Sequence, residues 1–321
     1  MKYTKVGASG LRVGQIGLGT LTWGRDTEPE DARRMLAALL DAGGNLVDVS
    51  PAYAEGLAVP LLGELLDGEF SRQDVVIAAH AGVRYSPAGS MVNTGRGGLQ
   101  DSLELIPTDL RTTYVDVLHV AAPDPFSPLE ETLETLAGFV QSGAVRYLGL
   151  ANHPAWMTAR AAQFMVDRQL PLISALSLDY SLLERGIERE VIPLATEMGL
   201  GVFAQSPLAA GVLTGKYRRS IPPTSRAATD HLGPMVARHL EADSRRIVEA
   251  VARAADGLGR TPSDVALAWV MDQPCVASVL CGARTGAQFE QLVSLDLSPL
   301  PDAVVSVLSE VTGAQFGYPE R

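Results

Sequence analysis

The 321 residues carry 37 Asp and Glu against 26 Lys and Arg, for a formal net charge of −11, and 46% are hydrophobic. That balance argues against a nucleic-acid partner and against disorder, and no apolar run approaches the roughly 18 residues of a bilayer span. Cys275 and Cys281 are too few for a disulfide framework and lack metal-ligand spacing, so a cytoplasmic, metal-free protein with no membrane partner is expected; the expected partner, a small-molecule substrate, rests on the motifs below.

Residues 2–16 alternate weakly about Gly7-Ala8-Ser9-Gly10, which predicts a hairpin. Ile16–Thr20 is a first buried strand. Thr27-Glu28-Pro29-Glu30 has the spacing of a capping box, and the helix behind it carries Met35, Leu36, Leu39 and Leu40 before stopping at Gly43-Gly44. The rhythm then repeats. Strands are expected at 45–49, 75–79, 115–120, 145–150, 172–178, 201–205 and 276–280. Helices are expected at 57–67, 99–106, 129–140, 154–167, 187–198, 241–256, from Thr261-Pro262-Ser263-Asp264 through Trp269, and last at 286–293. Long loops fill 81–98 and 217–235. Eight strand–helix units with short connections predict one α/β domain over 1–321, a (β/α)8 barrel with an N-terminal hairpin. A doubly wound sheet is the alternative, but no Gly-x-Gly-x-x-Gly follows a strand.

The stretch Asn45-Leu46-Val47-Asp48-Val49-Ser50-Pro51-Ala52-Tyr53 ends a strand on an aspartate, with a tyrosine five residues later. At the C-terminal end of a barrel strand, where chemistry sits, such a tyrosine can act as a general acid if its neighbours lower its pKa. The plainer reading is an aspartate capping the loop and a tyrosine packed over it.

Several phrases in order give the chain a resemblance to a known family. They are Gly7-x-Ser9-Gly10-Leu11-x-Val13, Leu18-Gly19-Thr20, Asp48 with Tyr53, Tyr114-Val115-Asp116, Pro123-Asp124-Pro125 and Gly143-x-Val145-Arg146-Tyr147-Leu148-Gly149. Asn152 follows, then the run from Ser206 to Tyr217 and Gly282-Ala283-Arg284 with Gln288. Over nearly its whole length the chain resembles the aldo-keto reductases, which are NADPH-dependent barrels. The resemblance implies a catalytic Asp, Tyr, Lys and His. Asp48 and Tyr53 match. In Ala79-His80-Ala81-Gly82, His80 takes the place of the lysine, and in Ala121-Ala122-Pro123-Asp124-Pro125, Ala121 takes the place of the histidine. His119, two residues earlier, should share the barrel face of Ala121 one layer deeper, as a packed core histidine.

The resemblance also implies cofactor contacts, and Thr20, Asn152, Ser206, Leu208, Gly211, Lys216, Gly282, Arg284 and Gln288 match them. Ala151, Ser177, Gln205 and Gln291-Leu292 depart at the positions for the nicotinamide and adenine. Weak or vestigial NADP(H) binding is therefore expected, carried by Lys216 and Arg284. Three functions stay open. One is a repurposed enzyme of specialised metabolism, with Asp48, Tyr53 and His80 as acid/base groups for a net non-redox step such as elimination, isomerisation or cyclisation. A second is an NADPH-dependent oxidoreductase with His80 standing in for the lysine. A third is a non-catalytic barrel that binds a nucleotide or a partner, as potassium-channel β-subunits of the resembled family do.

Overall fold

The computed structural model describes residues 1–223 and 225–313. The N-terminal hairpin pairs β1 (Tyr3–Lys5) with β2 (Arg12–Gly14), and β3 (Ile16–Gly19) opens the barrel. Helix α1 (Pro29–Asp41), β4 (Leu46–Val49), α2 (Ala58–Gly68) and β5 (Val76–Ala81) follow. A two-stranded excursion, β6 (Val83–Arg84) with β7 (Met91–Val92), occupies part of the expected 81–98 loop, and α3 (Arg96–Asp109) begins earlier than expected. The alternation resumes with β8 (Val115–Val120), α4 (Leu129–Gln141), β9 (Val145–Ala151), α5 (Ala155–Asp167), β10 (Ile173–Asp179), α6 (Val191–Met198) and β11 (Gly201–Gln205). The expected 217–235 loop contains the start of a short helix, α7 (Gly233–Ala237); residue 224 lies outside the described residues. Last come α8 (Ala242–Leu258), α9 (Pro262–Met271), β12 (Val276–Cys281), α10 (Gly286–Val293) and α11 (Asp302–Thr312). The sequence reading ended at α10. It passed over α11, whose β-branched Val304, Val305, Val307 and Val311 weaken the helical signal.

Eight parallel strands close in the order β3-β4-β5-β8-β9-β10-β11-β12, so the fold is a (β/α)8 barrel. The strands are buried on both faces and read as continuous apolar runs; all six residues of β8 are buried. Inside, Leu46, Ala78, Val117, Ala175, Phe203 and Ala277 pack with Val6, Leu11 and Val13 of the hairpin, which seals the N-terminal end. No helix among the described residues is long and apolar enough to cross a membrane.

The capping box expected at Thr27 and the helix start at Thr261 had different outcomes. Thr261 and Asp264 form one in both directions. At α1 the N-cap residue is Glu28, with no side-chain cap, because the Thr27 hydroxyl is buried and bonds Thr22 instead.

The hairpin seal depends on Gly7. Its φ is +53°, and an added Cβ would lie 2.2 Å from the Gly199 carbonyl oxygen. Gly7→Ala is expected to destabilise the protein by about 1–3 kcal/mol, measured by denaturant unfolding.

Candidate active site and cofactor groove

Asp48, at the end of β4, is 3% exposed and uses both carboxylate oxygens. His80 Nε2 lies 2.8 Å from Oδ1, and the Tyr53 hydroxyl donates to Oδ2 over 3.0 Å. Strand register brings the first pair together. Asp48 pairs with Ala78, so His80 stands two residues further along the neighbouring strand on the same barrel face. Tyr53 reaches back from a turn in which Ala54 and Glu55 are left-handed, at φ +48° and +62°. Further strained residues sit at the same mouth: Asn152, Ser206, Ala209 and Ala210 all have positive φ. Non-glycine residues held in that region cluster at functional sites.

The carboxylate therefore stands between the two other groups. The Tyr53 and His80 rings are 6.1 Å apart, centroid to centroid. This corrects the expectation of a tyrosine with a lowered pKa. Burial, and then the negative charge of Asp48, push the Tyr53 hydroxyl well above the ordinary tyrosine range. Tyr53 stays protonated near neutrality.

Beneath His80 lies His119, its register partner, stacked at 5.2 Å and edge-on to Phe203 at 5.7 Å. It is fully buried, and neither ring nitrogen has a partner among the described residues. Gly149 makes room for it: a Cβ there would meet the imidazole at 2.3 Å. Burial, and then His80, hold its pKa well below the ordinary histidine range. Ala121 follows this strand with no polar side chain to contribute, its N–H donating to the Ala81 carbonyl. Asp124, in the following loop, is a brace. Burial would raise its pKa, but the N–H groups of Thr94 and Phe126 and the Ser127 hydroxyl lower it further.

Asp48 and Tyr53 open into a cleft of about 500 Å³, also lined by Leu21, Asp179, Gln205, Ser206, Met235 and Arg238. Beside it runs a groove of about 650 Å³ lined by Ser206, Leu208, Gly211, Lys216, Gly282, Arg284 and Gln288. Ser206, Arg226, Leu280 and Gly282 line both, so the two adjoin. Gln288 is placed by its own loop, its Oε1 accepting from the Arg284 N–H at 3.1 Å. An added Cβ on Gly211 would come within 2.8 Å of Lys216 Nζ, and one on Gly282 within 3.1 Å of the Gly19 carbonyl; both glycines keep the groove open.

Two of the expected cofactor residues lie elsewhere. Thr20 is fully buried, its hydroxyl donating to the Asp48 carbonyl, so it positions the strand end. Asn152 is exposed at the end of β9 and accepts from the Asp179 N–H. Arg226 went unnoticed in the sequence. It arises from a stretch read only as a loop, donates to the Gly282 carbonyl and faces both cavities. Burial, with Arg284 in support, lowers its pKa. A guanidinium so placed favours an anion between itself and Arg284. The run of arginines between Tyr217 and Arg226 was the available signal.

The chain is thus a closed parallel barrel with a cation-lined groove beside a buried Asp–Tyr–His group. The aldo/keto reductase family model matches residues 15–312, and the chain belongs to that family. It is 34% identical to a probable voltage-gated potassium channel subunit beta of Oryza sativa subsp. japonica, over 94% of this chain and 93% of that protein. It is 30% identical to the uncharacterized oxidoreductase YrpG of Bacillus subtilis strain 168, over 97% and 96%. It is also 30% identical to Protein tas of Escherichia coli K12, over 99% of each chain.

Proposed function

We propose that this protein is an NADP(H)-dependent oxidoreductase that reduces a carbonyl or related substrate, with His80 in the place of a lysine. The observation that carries this reading is that the groove adjoins the cleft, with Ser206, Arg226, Leu280 and Gly282 lining both. The donor set fits a phosphorylated dinucleotide. Lys216, Arg226 and Arg284 offer cationic donors for phosphates, and Gly211 and Gly282 leave the backbone bare. When bound, the cofactor supplies the hydride. Tyr53 supplies the proton, Asp48 orients the Tyr53 hydroxyl, and His80 holds Asp48 from the other side.

The reading is tested by calorimetric titration with NADPH and NADH, and by NADPH consumption across a panel of aldehydes and ketones. Weak binding that favours NADPH, with turnover of at least one carbonyl, is expected. Equal affinity for both cofactors, or for neither, overturns the phosphate assignment.

The raised pKa of Tyr53 adds a directional test. Alcohol oxidation needs the phenolate, whereas reduction uses the phenol. The rate of oxidation should therefore still be rising at pH values above about 10, where an unperturbed tyrosine has titrated, and a plateau below that would contradict the assignment.

A second reading rests on the altered nicotinamide positions, Ala151, Ser177 and Gln205. They support acid/base chemistry by Asp48, Tyr53 and His80 in a non-redox step of specialised metabolism, with a bound cofactor left unconsumed. Substrate conversion without NADPH consumption would favour it.

A further inference from the structure

Gln205 ends β11 in the wall of the cleft beside Asp48 and Tyr53. Its Nε2 donates to the Ser177 hydroxyl at 2.7 Å, and Ser177 is fully buried on the adjacent strand β10. A hydrogen bond to a buried hydroxyl orients the amide. The amide oxygen has no hydrogen-bond partner among the described residues. Apart from the Ser206 hydroxyl, the other polar side chains around the cleft have their roles set by charge or by pairing. Asp48 and Asp179 are acceptors, Arg226 and Arg238 are donors, and Tyr53 donates to Asp48. Gln205 is the one primary amide among the described residues lining the cleft, and it immediately precedes Ser206, which lines both cavities.

We propose that Gln205 is a specificity residue for a carboxamide. Its Oε1 accepts the N–H of the nicotinamide carboxamide at the end of the groove, and Ser177 is a positioning residue that orients the Gln205 amide. This rests on the cofactor reading above. The recognition is edge-on, through one hydrogen bond, rather than through stacking on a ring face.

The test uses the purified full-length protein and three ligands: NADPH, its 3-acetylpyridine analogue, which has lost the carboxamide N–H, and 2′-phospho-ADP-ribose, which has no nicotinamide. Affinities come from calorimetry, so no turnover is needed. The wild-type protein should favour NADPH over the analogue by about tenfold, the worth of one well-formed hydrogen bond. Gln205→Ala should erase that preference and leave the affinity for 2′-phospho-ADP-ribose unchanged, which also shows that the groove remains folded. Ser177→Ala should reduce the preference partway, again sparing the fragment. A full tenfold preference in Gln205→Ala overturns the proposal alone. Failure of the wild-type protein to bind any of the three overturns the cofactor reading and the proposal together.

Discussion

Tyr53→Phe is expected to lower the turnover of carbonyl reduction by about 10²–10⁴-fold, the usual contribution of a positioned proton donor. The affinity for NADPH should hardly change, because Tyr53 faces the cleft and is absent from the groove lining. His80→Ala should produce a loss of similar size by a different route. It strips one of the two partners from a carboxylate that is 3% exposed, freeing Asp48 to turn away from Tyr53. The unpaired oxygen should also cost about 1–3 kcal/mol of stability. Asp48 bonds both groups, so the three act as a unit. The double variant Tyr53→Phe with His80→Ala should be little slower than the slower single variant. Single-turnover rates with NADPH in excess would show this directly. Losses that multiplied would mean that His80 and Tyr53 act separately.

Acid should unfold this protein through the barrel interior. His119 is held neutral by burial in the native state and titrates normally once unfolded. Above about pH 6.5 both states carry the neutral ring, and the residue adds no pH dependence. As the pH falls below that value, the unfolded chain takes up a proton that the native state refuses. Native stability is therefore lost on acidification, by about 1.4 kcal/mol per pH unit from this residue alone, until the native ring titrates well below. His153 acts in the same direction: burial lowers its pKa, against a hydrogen bond to the Ala151 carbonyl that raises it. His119→Leu should flatten the stability profile between about pH 6.5 and 4.5. At neutral pH the variant should be at least as stable as the native protein, because it removes two buried nitrogens with no partner among the described residues. Urea unfolding across that pH range would measure both effects. An unchanged slope in His119→Leu would show that other groups dominate the acid response.

The barrel was legible in the sequence because its signals are local. Each strand is an apolar run, each helix carries a periodic stripe, and the order of the units leaves a closed parallel sheet as the economical arrangement. The groove residues were legible through the family resemblance. They sit in two contiguous loops, 206–216 and 282–288, so the chain carries them together wherever it goes. Asp48 and His80 could be placed at strand ends by period-two counting. Tertiary structure decided which side chains meet, and in which order. Register and barrel closure buried the Tyr53 hydroxyl and put Asp48 between it and His80, which is why the tyrosine is raised rather than lowered. They joined Gln205 to Ser177 across two strands, gave the Thr20 hydroxyl to a backbone carbonyl, and turned the 217–235 loop so that Arg226 faces both cavities. A hydrogen bond depends on a few tenths of an ångström and on direction, and residues far apart in the chain acquire both only when the sheet closes.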